Sequence, residues 1–63
     1  MNQDEIDDLA GRINAMVDRV TDLTYEALRE QTDGNAQFKE VEKKLSSVRR
    51  SLIKAEATLR SLN

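Results

Sequence analysis

Sixty-three residues without a cysteine or a histidine make one small domain that neither disulfides nor the usual zinc and iron sites can brace. Charged residues amount to 35% and aromatics to 3%, proline is absent and the net charge is −2, a composition of long helices rather than of sheets. Without an imidazole or a thiol, the common general base and the common nucleophile are both missing, so no catalytic residue is expected and the chain reads as a non-enzyme.

The chain opens Met1-Asn2-Gln3-Asp4-Glu5, an acidic start followed by no signal-type apolar block. No apolar run approaches the ~20 residues of a membrane span, so a cytoplasmic protein with no membrane contact is expected. Asn2 is placed to cap a helix, and Glu5 sits three residues later where a capping box puts its carboxylate. Asp4, Glu5, Asp7 and Asp8 crowd the positive end of that helix's dipole.

From Ile6 onward, Leu9, Ile13, Met16, Val20, Leu23 and Ala27 recur at alternating spacings of three and four, which predicts a helix over about 3–31. Ala10, Val17 and Thr24 widen the stripe on one side. Gly11 costs this helix roughly 1 kcal/mol against alanine, and either admits a neighbouring helix closely or is simply tolerated. Tyr25 and Leu28 lie off the stripe near its end.

Gln31-Thr32-Asp33-Gly34-Asn35 interrupts the pattern, with the turn at about 32–35. Gly34 can adopt the left-handed conformation that stops a helix, and Asp33 or Asn35 can cap the next one. A single continuous helix competes with a hairpin, but Asp33-Gly34-Asn35 would cost it about 2 kcal/mol in propensity. So short a linker folds the helices back antiparallel.

A second helix is predicted over about 36–62, where Phe38, Val41, Leu45, Val48, Leu52, Ala55, Leu59 and Leu62 hold the seam of a left-handed helix pairing for four heptads. Ile53 and Ala57 lie outside that seam, and Arg60 suits the negative end of the helix. Residues 1–35 hold nine acids and three arginines, net −6, whereas residues 36–63 hold seven basic residues and three glutamates, net +4. Packing the two together is favourable and selects orientation more than it adds stability.

The fold class expected is all-α: an antiparallel hairpin of two long helices forming one domain over 1–63, completed by self-association into a coiled-coil-like bundle. Two helices side by side leave each seam residue half exposed, and a homodimeric four-helix bundle is the simplest closed solution. Ile6, Leu9, Ile13, Met16, Val20, Leu23, Phe38, Val41, Leu45, Val48, Leu52, Leu59 and Leu62 are its expected core. Phe and Leu at one seam position with Val and Ala at the other match no clean rule of oligomer order.

Tyr25, Leu28 and Ile53 are either scattered surface residues or a patch for a protein partner. Carboxylates such as Asp4 with Asp7 or Asp8, and Asp18 with Asp22, read as a solvated face, since nothing builds a pocket to shift them. Neither a calcium loop nor a glycine-rich phosphate loop is present, so no metal and no cofactor are expected. Ser46 and Ser47 sit among basic residues with no base beside them.

The sharpest alternative is the basic outer side of the second helix, where Lys39, Lys43, Arg50 and Lys54 could lie along a nucleic-acid backbone. Glu40, Glu42 and Glu56 interrupt that run, and no aromatic is placed to stack on bases. In length and in the heptads of both arms, the chain resembles the Rop family of plasmid-encoded, RNA-binding homodimeric bundles. No motif of that family is matched, so none of its residues is carried across, and likeness of fold is no argument for function. The function expected is a protein-protein interaction module (a small adaptor, inhibitor, chaperone or assembly subunit) working as a bundle. A nucleic-acid-binding regulator is the second reading.

Overall fold

The computed structural model describes residues 2–32 and 37–62, and the segment containing Gly34, with its expected turn and caps, lies outside the described residues. Two helices, α1 over Gln3–Thr32 and α2 over Gln37–Arg60, pack along their lengths as a hairpin. Among the described residues the regular structure is helical throughout.

α1 begins at a made cap. The Asp4 amide donates to Asn2 Oδ1 at 2.8 Å, and the Ile6 amide to the Asn2 carbonyl at 3.3 Å. The side-chain bond satisfies an amide that the first turn leaves without a helical partner, and the carbonyl accepts the first regular bond of the helix. Among the described residues the return bond of a capping box, from Glu5 to the Asn2 amide, is not formed; Gln3 Nε2 instead donates to Asp7 Oδ1 at 3.4 Å. The last helical residue of α2 is Arg60 rather than Leu62. Ser61 and Leu62 turn, their amides donating to Thr58 and Leu59 at 3.2 Å each. The final turn tightens because its carbonyls have no further amides above them.

Which row of the broad α1 stripe meets α2 is decided by size. Ile6, Ala10, Val17 and Ala27 are buried, Ala10 completely, while Ile13 and Val20 are partly covered. Small side chains at Ala10 and Ala27 let the helices approach, and the bulkier Leu9, Met16 and Leu23 are left on one side. Thr21 and Thr24 lie in the same contact zone with their hydroxyls returned to the carbonyls of Val17 and Val20, each at 2.9 Å. That back-bonding removes the cost of covering a hydroxyl.

The hairpin measures 50 × 14 × 9 Å with a radius of gyration of 14.8 Å, against about 11 Å for a compact domain of this length. It is a layer one helix thick, and α2 has no fully buried residue.

Of the two readings of Gly11, tolerance is the one supported: a methyl group built there meets nothing within 4 Å. Gly11→Ala is expected to stabilise the helix by about 1 kcal/mol, read as a higher urea midpoint at unchanged slope. A loss of stability would mean that another helix does approach this side.

Candidate functional site

A two-helix layer has two faces, and here they are unlike. On one, the rows Leu9, Met16, Leu23 of α1 and Val41, Val48, Ala55 of α2 run side by side at seven-residue spacing, with Leu62 exposed beyond the end of α2. Leu9, Met16 and Leu23 stay 51, 51 and 49% exposed, and Val41 and Val48 43 and 46%. Two open concavities mark the face: Met16 and Val20 meet Val48 and Leu52 in one, and Leu23 and Ala27 meet Phe38, Val41 and Leu45 in the other. The helix that covers Ile6 and Val17 thus leaves the next row of the stripe uncovered.

The opposite face is polar and joins the helices by hydrogen bonds. Asn14 Nδ2 donates to Glu56 Oε1 at 3.1 Å, and one α1 heptad later Arg49 Nε donates to Thr21 Oγ1 at 3.1 Å. The Thr21 hydroxyl accepts from Arg49 while donating to the Val17 carbonyl, so both of its roles are filled. Ser46 Oγ donates to Glu42 Oε1 at 3.2 Å along the same edge. Thr21, Thr24 and Tyr25 line a shallow hollow with Ser46, Arg49 and Arg50.

Glu56 is the anchor of this edge. Its carboxyl is held below the ordinary 4.5, first by the Arg60 guanidinium bonded to it at 2.8 Å and then by the Asn14 amide; its partial burial opposes them. A carboxyl lowered in the fold favours the fold above its ordinary pKa, and that contribution is lost as pH falls through the lowered value. In a carbon-detected NMR titration, Glu56 should therefore titrate below 4.5, and Arg60→Gln should move the midpoint upward. The Asn14 side-chain amide should report the same midpoint; if it does not respond, the bond between the helices is absent in solution.

Tyr25, Leu28 and Ile53 are all exposed, but they do not form one patch. Tyr25 and Leu28 share a hollow on α1 with Asp22, Glu26 and Arg29, near the C-terminal end of that helix. Ile53 belongs to the other helix and lies roughly 20 Å farther along the hairpin, given a helical rise of about 1.5 Å per residue. Sequence spacing could not reveal this separation, because it fixes position around one helix and not the register between two.

Lys39, Lys43, Arg50 and Lys54 are exposed, and none forms an ion pair with a described residue. The ion pairs Arg12–Asp8, at 3.1 Å, and Arg60–Glu56 both lie within a single helix. The links between helices that sequence reasoning missed are polar but not charge-paired at both ends: Asn14 with Glu56, and Thr21 with Arg49. Their seven-residue spacing within each helix was visible, but nothing in the residues announced which would meet.

Among the described residues no group of three carboxylates is placed to hold a metal ion, and no helix is long and apolar enough to cross a membrane. Comparison with known protein families, with curated proteins and with solved structures gives no match, and the likeness to Rop-type bundles rests on pattern and length alone.

Proposed function

We propose that this chain is a non-enzymatic protein-protein interaction module that works as a helical-bundle oligomer. The observation that carries the reading is the uncovered apolar face, in which Leu9, Met16 and Leu23 stand half exposed beside Val41 and Val48. A continuous apolar strip on a layer one helix thick is the signature of an interface. The polar edge and the outer sides of the helices remain available to a protein partner once that strip is covered. Tyr25 and Leu28 supply apolar anchors there, and the acidic and basic sides steer the encounter.

The test is helicity by circular dichroism together with mass by sedimentation equilibrium across a hundredfold dilution. A helical oligomer that melts more easily on dilution supports the reading. A poorly helical monomer at every concentration overturns self-association and assigns the strip to another protein. Replacing Tyr25 and Leu28 with polar residues should abolish capture of the protein partner without changing the mass.

The exposure of Lys39, Lys43, Arg50 and Lys54, with no carboxylate paired to them, favours a second reading as a nucleic-acid-binding regulator. It requires binding to RNA or duplex DNA that weakens steeply with salt and with Lys43, Arg50 and Lys54 neutralised. Absence of any shift at low salt removes it.

A further inference from the structure

Two equal layers of two helices can stack about a two-fold axis in two ways that keep every neighbouring pair antiparallel. With the axis along the helices, α1 lies on the partner's α2 and both turns sit at one end. With the axis across the helices, α1 lies on the partner's α1, α2 on its α2, and the turns point in opposite directions. Resting on the self-associating reading above, we infer that the apolar face is covered by a second copy of this chain docked with both turns at the same end.

The area fits a second copy. The hairpin exposes 4855 Å², whereas a compact 7.2 kDa monomer exposes about 4,100 Å². The excess of roughly 750 Å² is close to the ~800 Å² that each partner buries in a stable interface of ordinary size.

Charge selects the arrangement. α1 carries eight acids and three arginines, net −5, and α2 carries seven basic residues and three glutamates, net +4. Within the hairpin Lys39, Lys43, Lys44, Arg50 and Lys54 pair with no carboxylate of α1, so the asymmetry is still unspent. The same-end arrangement sets each acidic helix on a basic one. The opposite-end arrangement stacks like on like.

The rim of α1 gives the same answer locally. Beside the apolar row run Glu5, Arg12, Arg19 and Glu26, all exposed and seven residues apart, with signs −, +, +, −. That order is unchanged when reversed. If α1 met itself antiparallel with Met16 on the partner's Met16, Arg12 would face the partner's Arg19 and Glu5 the partner's Glu26. Docked on α2 instead, the rim meets Gln37, Lys44, Ser51 and Thr58, a row with a single charge.

The chain has no cysteine, so single substitutions accept spin labels without a background. Glu30→Cys lies near the turn and Asp18→Cys near the middle of α1, both exposed. Double electron–electron resonance is measured on each labelled protein. The Asp18 labels are close in either arrangement and report association itself. In the same-end dimer the Glu30 labels fall within ~30 Å, since helices packed 8–10 Å apart have a diagonal of about 13 Å before the labels are added. In the opposite-end dimer they stand about 40 Å apart, about 28 residues along the bundle. Close Asp18 labels with distant Glu30 labels overturn the same-end arrangement and leave self-association standing. No dipolar signal at either site overturns both the same-end arrangement and self-association.

Discussion

Met16→Glu is expected to raise the dissociation constant of the assembled chain by at least ~700-fold. Met16 is half exposed in the hairpin, so assembly buries its remaining surface, worth about 1 kcal/mol from a full value near 1.5–3. A carboxylate there loses that contribution and must be desolvated or protonated as well, at a cost of about 1–3 kcal/mol on mutational scales. A two-fold dimer carries the change twice, so the smallest combined loss is about 4 kcal/mol. Sedimentation equilibrium reads the result directly, and Met16→Leu, which keeps volume and polarity, should leave the mass unchanged. If Met16→Glu associates like the parent chain, the Leu9–Met16–Leu23 row is not the interface.

The second large effect belongs to the contact within the hairpin. Ala10 is completely buried where α1 meets α2, and Ala10→Leu adds three carbon atoms with no space to receive them. Overpacking of this kind costs about 1–3 kcal/mol, and the helices can relieve it only by separating along Ile6 and Val17. In a domain of this size each 1 kcal/mol lowers the melting temperature by roughly 4–8 °C, so a fall of about 5–20 °C is expected at fixed chain concentration. Ala10→Ser, which adds one small atom, should cost far less. An unchanged melting temperature for Ala10→Leu would mean that α1 and α2 are not held this close in solution.

The helices themselves were legible because the three-and-four alternation is a property of each chain segment alone. Asn2 as the first cap was readable for the same reason. The rotation of α1 was not. Its stripe spans Leu9, Ile13 and Ala10 across neighbouring rows, wide enough for two contacts, and periodicity weights all three rows equally. Size breaks the tie, since the rows containing Ala10, Val17 and Ala27 admit a close neighbour and the row of Leu9, Met16 and Leu23 does not. A stripe with one small side and one bulky side was the available signal for which side meets α2.

The polar edge was beyond reach of the sequence for a different reason. Asn14 meets Glu56 across 42 positions and Arg49 meets Thr21 across 28, so the pairing depends on how far α2 is slid along α1. That register is set by the packing of the apolar rows. Tyr25 and Ile53 were separated by the same slide, which is why residues of similar character proved to stand far apart.

A strip one helix thick has a consequence for the lifetime of the protein. Every turn of backbone has solvent on at least one side, and no inner shell can stay intact while an outer one opens. Separation of α1 from α2 uncovers both helices at once, so limited proteolysis should cut along each helix rather than stop at a protected core. A second copy docked on the apolar face would oppose that separation by mass action, so that protection would rise with chain concentration.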